Sequence, residues 1–288
     1  MSLPVNPNPP VVVGIDGSEQ SRTALSWAAT FAAQHRAPLR LICVIDVPMD
    51  YGPGVSAPLF DHEALRKHAE SLLVSATSRA GTITDTEITT TITEGAPVLA
   101  LLEYSKSARL LVVGSRGLGA FRRTLLGSVS SSLARRATCP VAVIPEQEYA
   151  ADGPVVVGVD GSECSIAAVA TAFDEAAHRN ARLIAVHTWS EFYHYDSRAT
   201  MQTQAEAVLA ESLAGYSEKY PDVRVDRVVT EDRPARAILG AAEKAQLVVV
   251  GSRGRGGFAG MALGSVAQAV LHGADCPLIV IRSADQQK

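Results

Sequence analysis

The chain has 288 residues, long for one α/β domain and comfortable for two. A hydrophobic fraction of 47% supplies packed cores, and a formal net charge of -4 excludes a nucleic-acid or membrane-surface binder driven by bulk charge. No apolar run reaches the ~18–20 residues of a membrane span, and four scattered cysteines (Cys43, Cys139, Cys164, Cys276) without a C-x-x-C pair fit a reduced, cytoplasmic protein.

The first ten residues, "MSLPVNPNPP", have neither the basic nor the apolar region of a signal peptide and read as a proline-rich tail. A short apolar, β-branched run at 11–15 then predicts a strand buried on both faces. Ser18 is the expected cap of a helix whose apolar stripe is Ala24, Leu25, Ala28, Phe31 and Ala32. Residues 39–47 predict a second strand, 64–80 a helix and 87–93 a third strand. Pro97 opens a helix, in the first turn where proline is tolerated. "LLVVG" at 110–114 is a fourth strand, 128–136 a helix and 140–144 a fifth strand. The alternation argues a five-stranded parallel sheet covered on both faces, a Rossmann-like α/β domain. Ligands on such sheets bind at the carboxyl ends of the strands, where the strand order reverses.

The pattern is then written again. "VVVGIDGSE" at 11–19 returns as "VVVGVDGSE" at 155–163, and "VVGSRG" at 112–117 returns at 249–254. The offset falls from 144 to 137 residues, so the second copy is seven residues shorter in its middle, expected after the second strand, where 46–58 is rich in Gly and Pro. The period is that of a whole domain. Two α/β domains are expected, at 8–146 and 154–284, joined through the polar "EQEYAADGP".

One stretch carries chemistry in both copies. Gly114 ends a strand, Gly117 follows, and nine residues later Gly127-Ser128 opens a helix; Gly251, Gly254 and Gly264-Ser265 repeat the spacing. Glycines let a backbone turn sharply and approach a ligand. The N–H groups at Gly127, Ser128 and Val129, with the hydroxyls of Ser128 and Ser130, stand at a helix N-terminus, a ready anion site. Charged hydrogen bonds contribute roughly 1.5–3 kcal/mol each, and a few of them could reach the about -8 kcal/mol of micromolar binding. The alternative is a glycine-rich loop with no ligand. Neither a P-loop nor the Rossmann G-x-G-x-x-G spacing is present.

On these residues, and on the "VGIDGS"/"VGVDGS" openings and "CPVAVI"/"CPLIVI" closings, the chain resembles the universal stress protein family, in its tandem-domain, ATP-binding form. The resemblance implies strand order 3-2-1-4-5 in each domain, pairing of domains through the last strand, and one ATP site per domain with Mg²⁺ on the phosphates. It implies that Asp16 and Asp160 lie beside the nucleotide or its cation, and that Val44 and Thr188 meet the adenine through their main chain. Gly114 and Gly251 would lie by the ribose, and Val113 and Val250 are further expected nucleotide-binding positions. Gly117, Gly127, Ser128, Val129 and Ser130 would hold phosphates, as would Gly254, Gly264, Ser265 and Val266.

Asp16 also reads as a helix cap. Arg116, Arg122, Arg123, Arg253 and Arg255 read either as phosphate ligands or as solvated loop charge. His187 reads as a core or pocket-wall residue, and His194 with Asp196 offers too few ligands for a metal. No catalytic base for water is apparent, so any hydrolysis should be slow. The expected function is a nucleotide-gated regulatory protein, forming a homodimer through its apolar closing strands and acting on a regulatory partner. The alternatives are a slow ATPase and a dimerisation module with vestigial sites. A relative of the nucleotide-dependent ligases is disfavoured by "GIDGSE" where S-G-G-x-D-S is usual.

Overall fold

The computed structural model describes residues 7–46, 61–117, 126–190, 197–255 and 262–282. Arg122, Arg123, His194, Asp196 and most of the Gly/Pro-rich stretch lie outside these. The chain divides into two compact units, Met1–Glu146 and Gln147–Lys288.

The first unit runs β1 (Val11–Ile15), α1 (Glu19–His35), β2 (Leu39–Ile45), α2 (His62–Gly81), β3 (Ile88–Glu94), α3 (Pro97–Ser105), β4 (Leu110–Gly114), α4 (Ser128–Arg136) and β5 (Val141–Ile144). Its strands lie in the order β3-β2-β1-β4-β5, the expected 3-2-1-4-5. All pairs are parallel; Val11 faces Leu39 on one side and Leu110 on the other. Helices α1 and α2 pack together, as do α3 and α4, with the sheet between them. This explains why β1, β4 and β5 are apolar along their length, while the outer strand β3 is threonine-rich and half exposed.

Local chemistry sets the boundaries. The Ser18 side chain caps α1 by accepting from Ser21 N, and every residue of the expected α1 stripe is buried. Asp61 caps α2 through Ala64 N at 3.0 Å, so this helix starts two residues before the sequence pattern suggested. β5 begins at Val141 because Pro140 has no N–H to give, although its carbonyl accepts from Leu111 N at 3.0 Å.

The second unit contains β6 (Val155–Gly158), α5 (Glu163–His178), β7 (Leu183–Trp189), α6 (Arg198–Ser212), α7 (Tyr216–Lys219), β8 (Val225–Glu231), α8 (Pro234–Ala241), β9 (Leu247–Gly251), α9 (Ser265–Gly273) and β10 (Leu278–Ile281). Its order, β8-β7-β6-β9-β10, is the same arrangement. The missing seven residues fall where expected. Sixteen residues separate Ile45 from His62, but eight separate Trp189 from Arg198, and one residue is regained before β8. The short helix α7 has no counterpart among the described residues of the first unit; its Tyr216, with Tyr220 just beyond it, stacks on the buried Phe173, ring centroids 4.8 and 5.7 Å away.

Candidate functional site

In both units the first strand ends in Asp-Gly-Ser. Gly17 and Gly161 adopt φ +83° and +74°, a left-handed turn that favours glycine. The turn folds the aspartate back on the serine: Asp16 Oδ1 accepts from Ser18 N at 2.9 Å and from Ser18 Oγ at 2.6 Å. Asp160 Oδ1 does the same with Ser162, at 3.0 and 2.6 Å. The helix caps are therefore Ser18 and Ser162, and the aspartates orient them.

The other carboxylate oxygen points at the glycine loop. Asp160 Oδ2 accepts from Arg255 N at 3.0 Å, fastening the loop after β9 to the turn after β6. A side chain on Gly254 would sit on that oxygen, and one on Gly117 would come within 2.5 Å of Asp16 Oδ2. These two glycines leave room for the clasp.

Gly114 and Gly251 have a different reason. A Cβ on Gly114 would lie 2.8 Å from Gln20 Cβ and 3.0 Å from the Gln20 carbonyl carbon; on Gly251 it would lie 2.8 Å from Cys164 Cβ and 2.9 Å from the Cys164 carbonyl carbon. The first turn of α1 or α5 lies directly against the end of β4 or β9. Glycine here serves helix–strand packing, a role that spacing alone did not separate from ligand approach.

The helix opening divides its polar groups between structure and site. Gly127 N donates to Ser115 O at 2.7 Å, and the buried Ser130 Oγ donates to the same carbonyl at 2.9 Å. Gly264 N donates to Ser252 O at 2.7 Å, where Ala267 replaces Ser130. The Gly127 N–H and the Ser130 hydroxyl therefore hold the loop closed on itself. Ser128 and Ser265 are exposed, and Val129 and Val266 half-exposed, at the first turn, where main-chain N–H groups have no partner within the helix.

These elements enclose a cavity of about 330 Å³ in the second unit, in the range of small-molecule sites. It opens at the carboxyl ends of β6, β7 and β9, beside the reversal in strand order between β6 and β9. Asp160, Thr188, Val250, Gly251, Gly254, Gly264, Ser265 and Val266, the second-copy residues named from sequence, all line it. One end is apolar, with Val186, Pro234 and Ile238; the other carries Arg253 and Arg255. Pro234 and Ile238 were not singled out from sequence. A signal existed: Gly158 interrupts an apolar strand because Ile238 Cδ1 would lie 2.6 Å from its Cβ, as Leu101 Cδ1 would lie 3.3 Å from a Cβ on Gly14. In the first unit Asp16, Val44, Val113, Gly114, Gly117, Gly127, Ser128 and Val129 occupy the corresponding ends of β1, β2, β4 and α4.

Among the described arginines read as loop charge, Arg116 is paired. Arg116 Nη2 bonds Glu146 Oε2 at 2.5 Å. His187 is half-buried, and its Nδ1 donates to Val159 O at 2.7 Å, outside the cavity lining. It takes the place of Cys43, whose thiol is pushed up by burial and then by the Asp16 charge.

A model of the universal stress protein family matches residues 8–145 and 153–282. The chain belongs to this family. Universal stress protein Rv2005c of Mycobacterium tuberculosis is 44% identical over 95% of this chain and 97% of its own length. Rv2623 of the same organism, also a universal stress protein, is 44% identical over 95% and 96%. A crystal structure of a universal stress protein from Archaeoglobus fulgidus shares the fold, with TM-score 0.72 at 23% identity over 96% of this chain and 97% of that one. The duplicated unit is thus two tandem universal stress protein domains.

Proposed function

We propose that each domain binds an adenine nucleotide, ATP with Mg²⁺, and that the chain is a nucleotide-dependent regulatory protein of the stress response rather than a metabolic enzyme. The observation that carries this reading is the two-ended cavity. Its apolar end, formed by Val186, Thr188, Pro234 and Ile238, suits a flat base; its other end offers glycine backbone, the first turn of α9 and two arginines to phosphates. Between them, Val250, Gly251 and Asp160 border the place of a ribose. In the first domain the same roles fall to Val44, Val113, Gly114 and Asp16, with phosphates on Gly117, Ser128 and Val129.

Gly127, Gly264 and Ser130 shape the loop in this reading instead of touching phosphate, because their polar groups are already bonded to Ser115 and Ser252. Asp16 and Asp160 fit poorly as direct Mg²⁺ ligands. The Asp160 carboxylate accepts three hydrogen bonds and has the Arg255 main chain against it. The cation belongs on the phosphates, and supplies charge neutralisation there. The same engagement removes the cavity's carboxylate as a base for water, so hydrolysis is slow.

Binding would reshape the surface around 114–128, and a cytoplasmic partner or a second copy of the chain would read that change. Denaturing the purified protein and chromatographing the supernatant tests the reading. Close to two adenine nucleotides per chain are expected, or two sites by calorimetry if the protein purifies empty. No binding of ATP, ADP or AMP at millimolar concentration would overturn it.

A further inference from the structure

We infer that His187 is a positioning residue of the second-domain site: its ring takes the carbonyl that would close the strand ladder, and so frees the Thr188 main-chain N–H to donate to a ring-nitrogen acceptor on the edge of a purine. This rests on the nucleotide reading above and makes the two sites unequal in how they read the base.

The domains diverge at the ends of their first two strands. In the first, β1 pairs with β2 as far as Ile15, opposite Cys43. In a parallel ladder that pairing commits Ile15 O to Val44 N. In the second, β6 pairs with β7 only as far as Gly158, opposite Val186. Val159 N still donates to Val186 O at 2.8 Å, and the next ladder bond would run from Thr188 N to Val159 O. Instead, Val159 O accepts from His187 Nδ1 at 2.7 Å. The carbonyl is an acceptor only, so Nδ1 carries a proton whatever the state of Nε2. Cys43, the first-domain counterpart, is a weak donor with no ring.

A second contact holds the ladder open. The buried Ser165 Oγ, in the first turn of α5, accepts from Asp160 N at 3.0 Å and from Gly161 N at 3.3 Å. Its counterpart Ser21 instead donates to Ser18 O at 2.9 Å. The end of β6 is thus tied to α5 and to the His187 ring. Leu183 N donates to Arg224 O at 2.8 Å, so the odd-numbered N–H groups of β7 serve β8 and Thr188 N faces the end of β6. It has no hydrogen-bond partner among the described residues. Thr188 lines the cavity at the end formed by Val186, Pro234 and Ile238. An unpaired main-chain donor in an apolar wall calls for an acceptor. The N1 atom of adenine is one; a 6-oxopurine carries a hydrogen there and offers none.

The test is calorimetric titration of the full chain with ATP and, separately, with 1-deaza-ATP, in which carbon replaces the N1 acceptor. In the wild type, 1-deaza-ATP should bind one of the two ATP sites about fivefold more weakly than ATP does, the loss of one hydrogen bond, and the other site equally well. In His187→Cys, which installs the first-domain residue, ATP at the discriminating site should fall to the 1-deaza-ATP level while 1-deaza-ATP holds its affinity. His187→Asn, whose amide can donate from the place of Nδ1, should keep the preference. Thr188→Val should keep it too, because the main chain is unchanged. Equal binding of the two ligands at both wild-type sites would overturn this inference and leave the nucleotide reading standing. So would a parallel fall of both ligands in His187→Cys, no change there, or loss of the preference in Thr188→Val. Should His187→Cys fail to fold, the wild-type and Thr188→Val titrations decide. Absence of ATP binding to the wild type would remove the nucleotide reading and this inference with it.

Discussion

The two domains keep the same backbone devices and differ in charge. Both clasp an aspartate onto the following serine, leave a glycine bare opposite the second carboxylate oxygen, and close the loop on the carbonyl of Ser115 or Ser252. Around that shared frame, Glu146 gives way to Ser283, Pro145 to Arg282, Leu118 to Arg255 and Cys43 to His187. A duplicated fold can thus hold its main-chain geometry while its side chains drift toward different electrostatics. The reason is steric. A Cβ in the wrong place meets backbone or a fixed carboxylate, whereas a changed charge at a half-exposed position meets solvent.

The largest expected effect separates the domains at one buried position on the first helix. The first domain places Phe31 there, stacked with Trp27 at 5.4 Å, and the second places Glu175, 1% exposed and bonded to Arg179 at 2.8 Å. Truncating one partner of a buried pair costs about 3–5 kcal/mol. Glu175→Ala should therefore lower the urea midpoint markedly. A shift no larger than that of an exposed substitution would show the pair to be incidental.

Next come the glycines of the clasp. Gly117→Ala and Gly254→Ala should each displace an aspartate carboxylate, at about 1–3 kcal/mol of strain, and each should cut nucleotide stoichiometry from two to one. Retention of two full-affinity sites in either variant would deny the clasp its role in shaping the loop.

The closing strands predict a pH effect common to both domains. Burial pushes Cys139 and Cys276 up to about 12. Their folded-state values lie above the unfolded 9.0, so the stability they contribute is complete below pH 9 and is lost as pH rises toward 12. Each should remove up to about 1.4 kcal/mol per pH unit in that window. The double variant Cys139→Ala, Cys276→Ala should show a shallower alkaline decline in denaturant melts between pH 9 and 11 than the wild type; equal slopes would refute this.

Two smaller effects finish the comparison. Glu146→Gln releases Arg116 from a half-exposed pair worth about 0–1 kcal/mol. It should leave melting nearly unchanged while strengthening ATP binding in the first domain alone. Arg22→Ile, which copies Ile166 onto α1, breaks an exposed pair with Glu19 and should leave the thermal midpoint close to that of the wild type.

Much of this was legible in the sequence because it is local or repeated. β-branched runs bounded by turn residues mark β1, β4 and β5, and Ser18 announces α1 by its place before an apolar stripe. The repeat located the loop and the length change, and family resemblance supplied the strand order. Contacts between residues far apart in the chain were not legible. Ser130 reads as a free hydroxyl until it is seen buried on Ser115 O, fifteen residues back. Arg116 reads as a loop charge until Glu146, thirty residues on, is found against it. Gly114 reads as part of a ligand cradle because a one-dimensional spacing cannot show that the obstructing atom belongs to Gln20.

That last position bears on how other chains of this kind are read. Gly114 and Gly251 keep α1 and α5 seated on the sheet with or without anything bound, whereas Gly117 and Gly254 leave room for the clasp that shapes the loop at the proposed phosphate end. A descendant that had given up its ligand would still need the first glycine and would be released from the second. Counting glycines in the motif therefore overstates the evidence for binding: the first testifies to architecture, and the second is the witness worth questioning.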